Sequence, residues 1–320
     1  MDCISENDMD MLRDICSGDV LQGVDLSDIS HWRIGGRAAL VLRPSSTTEV
    51  AALRRWFYQR GMAHLVIGKT TNVLFADEGL HVPCIQIGAV MSKLSIEHGE
   101  VYADAGVWVP GLSRTLMLNG LTGGEHLCGI PGTLGGLICM NGGSNSRSIG
   151  GNVISVESVD SRGSIVERDA KECGFGYRSS IYQTNDEIVT AVRMRFLPGV
   201  CSAIRVEMLK DLANRRRKFP LKEPSCGSVF KSSPGIYADF GPPGAVIERL
   251  GFKGMRVGGA MVSPKHANFI VNTGRAKAAD VLEIMKSIRD AVYAQTGYLL
   301  EAEARYVTPG GKVLPASSVL

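Results

Sequence analysis

The sequence predicts a chain of intermixed helices and short strands, in two or three domains, that is not a dinucleotide-binding fold of the GxGxxG kind. Three observations carry this. A length of 320 residues is more than one hydrophobic core usually fills. Stretches of helical period interleave with strand-like runs along the whole chain. The β-α-β start has no GxGxxG between its first strand and the helix that follows.

Taken in order, Met9, Leu12, Ile15 and Cys16 fall at helical spacing within residues 5–18, which predicts a short amphipathic helix. Ser30 to Gly36 turns the chain, and Ala38 to Arg43 reads as a strand. Ser46-Thr-Thr-Glu49 is a capping box opening a helix to about Gln59. His64 to Ile67 is a buried strand that runs into Gly68-Lys-Thr-Thr-Asn72 and then Val73 to Phe75. Ile85 to Ile87, Leu94 to Ile96 and Glu100 to Asp104 read as short strands, and Val109 to Asn119 as a helix. Glycine-rich turns and short strands follow to about Leu197, among them a meander of Ile154 to Val159, a Ser161-Arg-Gly163 turn and Ile165 to Glu167. A basic helix, Arg205 to Arg217, stops before Pro220. The Pro-, Gly- and Ser-rich stretch from Pro220 to Pro243 marks a domain boundary. Beyond it come a helix near Ala245 to Leu250, a strand Phe269 to Val271, a long helix Ala278 to Thr296 and a final strand Leu299 to Val307. The tail from Thr308 reads as mobile.

Composition narrows the function. A net charge of +3 is too small to argue for nucleic acid. The eight cysteines are scattered without a CxxC pair, which argues against a zinc site and a secreted disulfide framework and fits a reducing cytoplasm. No apolar run approaches the roughly 18 residues of a membrane helix. The acidic start, Met1 to Asp8, lacks the basic and apolar segments of a signal peptide.

Six stretches carry groups that need a reason. Residues 120–151 hold eleven glycines, centred on Gly129-Ile-Pro-Gly-Thr-Leu-Gly-Gly136. Such density fits a backbone that approaches a charged ligand with bare N–H groups, or a run of tight turns. Thr70, Thr71 and Asn72 can bond a phosphate or simply line a turn. In Phe175-Gly-Tyr-Arg178-Ser-Ser-Ile-Tyr182 an arginine lies among aromatics, suited to a carboxylate or a developing enolate, or stacked on tyrosine at the surface. Pro224-Ser-Cys-Gly-Ser228-Val-Phe-Lys231 presents a hydroxyl beside a lysine, but is not the GxSxG elbow of a serine hydrolase. In a strand, Glu301, Glu303 and Arg305 share one face, which is either a cleft wall or a solvated edge. Lys253, Lys265, His266 and Asn268 are anion or sugar contacts, or loop polarity.

In this order the motifs GxxGxxGG with a following Asn-Gly pair, FGYRxS, PSCGSVFK, GxKGxxVGGAxVSxKHANFIVN and LExE resemble the UDP-N-acetylenolpyruvoylglucosamine reductase (MurB) family, from about Ile29 to Val307. There is no room for a tyrosine-bearing insertion after Tyr182, as in the family's shorter form. The resemblance implies an α+β protein, with a two-lobed, non-Rossmann FAD-binding region of the PCMH/VAO type and a C-terminal substrate-binding domain. The implied segments are an N-terminal extension (1–20), two flavin lobes (21–80 and 81–204), a substrate domain (205–300) and a final stretch with the catalytic glutamate (301–320). It implies FAD held by Ile67, Gly68, Lys69, Thr70, Thr71, Asn72 and Val73, and by Gly129, Ile130, Pro131, Gly132, Gly135, Gly136 and Asn141. NADPH is the implied hydride donor and UDP-N-acetylglucosamine enolpyruvate the substrate. The alternative is a divergent flavin oxidoreductase of the same fold acting on another nucleotide-sugar or sugar acid. Arg178 and Glu303 match residues that stabilise the enolate, Glu303 as a protonated partner, and Ser228 matches its proton donor. Lys218, Lys231, Lys253, His266 and Asn268 match substrate contacts. No metal, nucleic acid or membrane is implied, and the expected state is a cytoplasmic monomer. The chain departs from the usual family sequence at His31-Trp32, Lys69, Thr71, 142–149 and Ser232-Ser233.

Overall fold

The computed structural model describes residues 4–232 and 234–320. Cys3, the beginning of the acidic start and Ser233 lie outside the described residues. In chain order the first elements are α1 (Glu6–Ile15), β1 (Asp19–Asp25), α2 (Leu26–Ile29), β2 (Arg37–Arg43), α3 (Thr47–Gln59), β3 (Leu65–Ile67), β4 (Val73–Phe75), β5 (Cys84–Gln86), β6 (Leu94–Glu97) and β7 (Glu100–Asp104). The middle of the chain forms α4 (Val109–Leu118), β8 (Leu121–Thr122), α5 (Leu134–Cys139), β9 (Val153–Val159), β10 (Ile165–Asp169), β11 (Ile188–Arg195), β12 (Leu197–Pro198) and α6 (Cys201–Lys218). The last part forms α7 (Pro234–Phe240), α8 (Pro243–Arg249), β13 (Arg256–Val257), β14 (Ala260–Val262), β15 (Ile270–Asn272), α9 (Ala278–Thr296), β16 (Arg305–Val307) and β17 (Val313–Pro315).

Local chemistry sets several boundaries. Ser5 and Asp8 cap α1 reciprocally. Ser46 caps α3 by accepting from the Glu49 N–H at 3.3 Å, but Glu49 turns its carboxylate to the Ser45 N–H (2.8 Å), so the expected box is only half made. The first amides of α9, Ala278 and Ala279, donate to Asp77 at 2.7 and 3.2 Å. Gly297, at φ +74°, ends that helix in the left-handed conformation glycine favours.

The chain divides into two compact units. The first comprises Met1–Gln22, Leu40–Lys69 and Pro83–Arg215. Its larger sheet runs β10-β9-β11-β7-β6, antiparallel throughout. Helix α5 packs on β11 and β7, and α3 on β9 and β11. Between these layers lies a core that includes Phe57, Val101, Ala103, Leu134, Ile138, Val156 and Val192. In the smaller sheet β5 is flanked by β2 and β3, both parallel to it.

The second unit comprises Gly23–Ala39, Thr70–Val82 and Arg216–Leu320. Here β16 pairs with β4 in parallel and with β17 antiparallel. Helix α9 packs on the β13-β14-β15 sheet. One core joins Trp32 and Ile34, Leu74, and the C-terminal Val229, Phe230, Ile270, Val281, Met285 and Ile288.

These units divide the chain differently from the expected functional segments. The five consecutive segments do not coincide with compact units, because 23–39 and 70–82 pack with the C-terminal third. The last change of unit falls between Arg215 and Arg216, before Pro220. Within the glycine field, Leu134–Cys139 is a helix, and α6 starts at Cys201, not Arg205. The final strand is short, Arg305–Val307. The tail expected to be mobile forms β17 against β16, and the Ala316 N–H donates to the Ala304 carbonyl at 2.9 Å. Strands β1, β13 and β14 and helices α2 and α7 had no counterpart among the expected elements.

Candidate active site

In the second unit Ser228 and Glu303 sit on neighbouring segments. The Glu303 N–H donates to the Val229 carbonyl (2.8 Å) and the Lys231 N–H to the Glu301 carbonyl (2.9 Å), around a bridge between Phe230 and Ala302. Ala302 and Ala304 are buried, Glu303 is half-buried and Glu301 is exposed. The carboxylates therefore alternate with the core residues, as the sequence predicts for a strand, although only the bridge is regular. The Asn72 amide donates to the Glu303 carbonyl at 2.9 Å, and the Arg305 N–H returns to the Asn72 carbonyl at 3.0 Å. This brings the expected flavin loop residue Asn72 onto the glutamate segment.

Asn268 holds the serine segment from the other side. Its carbonyl accepts from the Val229 N–H at 2.9 Å. Its side-chain oxygen accepts from the Phe230 N–H (3.0 Å), and its side-chain nitrogen donates to the Phe230 carbonyl (2.9 Å). The amide expected to touch substrate is thus engaged with the main chain. Lys231 lies 3.5 Å from Glu301 and Lys253 lies 2.6 Å from Glu248, both pairs at the surface. His266 packs between Phe219 and Phe269, ring centroids 5.2 and 5.0 Å away. Its Nδ1 accepts from the Asn268 N–H at 3.2 Å. Burial, then the Lys253 charge, with a smaller effect from Lys218, lowers its pKa. Two of the expected contacts, Lys253 and Lys218, therefore act on a third, His266. Cys226 is buried two residues before Ser228, and burial followed by the Glu303 charge pushes its thiol up.

Arg178 belongs to the first unit. It stands on a tight turn closed by a bridge between Gly176 and Ser179, with φ +52°, a strained backbone for a side chain of this size. Its Nη2 donates to the Gly143 carbonyl at 3.1 Å, and its guanidinium lies 5.4 Å from the centre of the Tyr177 ring. Asn141 supports this turn. Its amide nitrogen donates to the Gly176 carbonyl (2.8 Å), and its oxygen accepts from the Gly150 N–H (3.0 Å). Both ends of the Asn141 amide, expected to contact the flavin, make a bond within the protein.

The glycine segment is fixed by its own unit. Gly132 accepts from the Val109 N–H (3.1 Å), and the N–H groups of Leu134 and Gly135 donate to Val107 and Ala105 (2.9 and 2.8 Å). A Cβ on Gly68 would lie 2.5 Å from Thr133 Oγ1, one on Gly129 2.3 Å from Arg215 Cδ, and one on Gly135 3.0 Å from Ala105 Cβ. Those glycines admit close approach by the protein itself. Gly136 differs: its Cβ would meet only Thr133 Oγ1, at 3.8 Å, and it is exposed, as is Pro131, while Ile130 is half-exposed. Lys69 Nζ lies 5.5 Å from the centre of the Trp108 ring, and Trp108 is 52% exposed. The first unit thus presents a backbone ledge, a cation and an indole. The Lys69 cation suits a flavin diphosphate and the exposed Trp108 indole a flavin ring, so these residues fit the group. Ile67 is a buried strand residue and Val73 a half-buried one.

Sequence reasoning assigned no part to Trp108, which opens α4 without a motif around it, and noted His31 only as a departure. Among the described residues no group of three His, Cys, Asp or Glu side chains is placed to hold a metal ion, no disulfide joins the cysteines, and no helix is long and apolar enough to cross a membrane.

Comparison with known proteins agrees with these features. Residues 219–307 match the C-terminal domain of UDP-N-acetylenolpyruvoylglucosamine reductase, and residues 38–169 match the FAD binding domain. UDP-N-acetylenolpyruvoylglucosamine reductase 1 of Corynebacterium glutamicum is 41% identical over 296 residues, 92% of this chain and 88% of the relative. The reductase of Heliobacterium modesticaldum is 36% identical over 294 residues, 92% of each chain. The crystal structure of the Thermus caldophilus reductase (MurB) superposes with a TM-score of 0.77 at 30% identity, covering 90% of this chain and 98% of that one. The chain belongs to the UDP-N-acetylenolpyruvoylglucosamine reductase family.

Proposed function

We propose that the chain reduces UDP-N-acetylglucosamine enolpyruvate to UDP-N-acetylmuramate, a step of peptidoglycan precursor synthesis, with NADPH as reductant and FAD as carrier. The observation that carries the reading is the pairing of the Ser228 and Glu303 segments through the Val229–Glu303 hydrogen bond, in a chain of this family. The exposed stretch at Ile130, Pro131 and Gly136, with Lys69 of the same unit, is suited to hold the flavin. When bound, FAD supplies the hydride that NADPH provides.

The protein's own task is then to manage charge. Hydride delivery to the terminal alkene carbon of the enolpyruvyl ether leaves negative charge on the neighbouring carbon and its carboxylate. Arg178, and Glu303 as a protonated acid, are each assigned to stabilising that charge. Ser228 delivers a proton to the carbon, a transfer worth about 10²- to 10⁴-fold when positioned. A hydroxyl can donate only where its alkoxide is stabilised, and Lys231, three residues on, is assigned that role. Lys218, Lys253 and His266 are assigned to the diphosphate and sugar. The site acts on a free nucleotide-sugar, and we assign the enzyme to the cytoplasm as a monomer.

The test is NADPH oxidation by the purified, flavin-loaded protein with and without UDP-N-acetylglucosamine enolpyruvate. The expected result is oxidation that depends on this compound and yields UDP-N-acetylmuramate. Flavin reduction by NADPH with no turnover of the compound would overturn the substrate assignment in favour of another nucleotide-sugar or sugar acid.

A further inference from the structure

His31 ties together two segments of the second unit. Its main-chain N–H donates to Thr70 Oγ1 at 3.1 Å, and that hydroxyl donates on to the Ile29 carbonyl at 2.9 Å. Thr70 is buried, β-branched and held at φ +53°, a conformation such a residue rarely adopts. The two hydroxyl bonds brace that strained backbone at the head of the 70–72 loop. The His31 ring reaches the other segment: Nδ1 lies 2.5 Å from the Ser225 carbonyl, three residues before Ser228. A carbonyl only accepts, so Nδ1 must carry the proton. The bond survives in both the neutral and the charged ring, because protonation adds a proton at Nε2 and leaves Nδ1–H in place.

The His31 bond adds to a second tie at the near end of this turn, where the Asn272 N–H donates to the Pro224 carbonyl at 2.9 Å. Downstream of Ser228, Val229 and Phe230 are fixed by Asn268. Upstream, Gly227 has φ +84° and nothing within 4 Å of where a Cβ would stand. A glycine in open space is the most permissive joint a backbone offers. The segment Ser225-Cys226-Gly227-Ser228 is therefore clamped at its far end by Asn268 and at its near end by the His31 ring, with a free joint between.

We propose that His31 is a positioning residue for Ser228, setting the direction of its hydroxyl by holding the Ser225 carbonyl through Nδ1–H. The kinetic consequence rests on the reductase reading; the hydrogen bond does not.

Three variants separate this from a general packing role. In His31→Asn the amide nitrogen takes the place of Nδ1; in His31→Gln it takes the place of Nε2; His31→Ala has no donor. With FAD-loaded protein, flavin bleaching by NADPH is expected to be unchanged in all three. Reoxidation by UDP-N-acetylglucosamine enolpyruvate is expected to slow about tenfold or more in His31→Gln and His31→Ala, the order of loss that sub-ångström misplacement produces. His31→Asn should stay near the wild-type rate. In a Ser228→Ala background, adding His31→Gln should slow reoxidation no further, since the two act through one group. In ¹⁵N-histidine spectra of the wild type, assigned by the signal missing in His31→Asn, the ring should carry its proton on Nδ1. Wild-type rates in His31→Gln and His31→Ala, additive slowing in the Ser228→Ala background, or a proton on Nε2 alone would each overturn the proposal. If the wild type is not reoxidised by this compound, the reductase reading fails, and the tautomer still decides whether the anchor exists.

Discussion

Asn268 gives both ends of its side-chain amide to the main chain of Phe230 and its own carbonyl to Val229. In the sequence it stands beside Lys265 and His266 and reads as a polar ligand contact. The structure uses it to straighten the segment that follows Ser228. Nothing in the one-dimensional pattern separates these uses, because an asparagine that bonds a sugar and one that bonds a buried peptide group look alike until Phe230 is known to lie against it. Asn141 repeats the lesson, bracing the Arg178 turn through Gly176 and Gly150. In Asn268→Asp the donor to the Phe230 carbonyl is lost and an oxygen replaces it in a buried site. Urea denaturation of this variant should show a loss of about 1–3 kcal/mol. An unchanged midpoint would mean the amide is not needed by the backbone. Ser228 and Glu303 are singled out for a different reason: PSCGSVFK and LExE stand in order with the other motifs of the resemblance, and the two segments are adjacent in the structure.

Elements with clear periodicity were readable, and those rich in glycine were not. Helix α9 has the limits that Val281, Met285, Ile288 and Val292 imply, and α3 has the start its Ser46 cap implies. Helix α5 was missed because two of its six residues, Gly135 and Gly136, are poor helix formers, and tertiary packing on β11 and β7 overrides their propensity. The glycine field itself has two physical explanations, divided residue by residue. A Cβ at Gly143 would stand 1.9 Å from the Arg147 carbonyl oxygen, so that glycine serves the fold. Gly136 has space for a methyl group on its exposed side, so the fold does not require it. Gly143→Ala should therefore destabilise the protein by about 2 kcal/mol or more in chemical denaturation. Gly136→Ala should keep or slightly raise stability while weakening FAD binding, measured by quenching of flavin fluorescence. Unchanged FAD affinity in Gly136→Ala would remove this ledge from the flavin site.

At the scale of the molecule, a long-range feature escaped the sequence altogether. The second unit takes Trp32 and Ile34 from 23–39 and Leu74 from 70–82 into a core built mainly of C-terminal residues. Its β4–β16 pairing joins Val73 to Arg305 in parallel, a contact of high sequence separation that no local pattern announces. This threading gives the expected sites their surroundings: the 70–72 loop, the His31 turn, the Ser228 segment and Glu303 all fall in one unit. The chemistry assigned to them is tested most directly by reducing the FAD-loaded protein anaerobically with NADPH and mixing it with UDP-N-acetylglucosamine enolpyruvate in a stopped-flow spectrometer. The account predicts that oxidised flavin absorbance returns in the wild type, and that Ser228→Ala bleaches normally but recovers at least about a hundredfold more slowly. A wild type that stays bleached, or a Ser228→Ala variant that recovers at the wild-type rate, would contradict it.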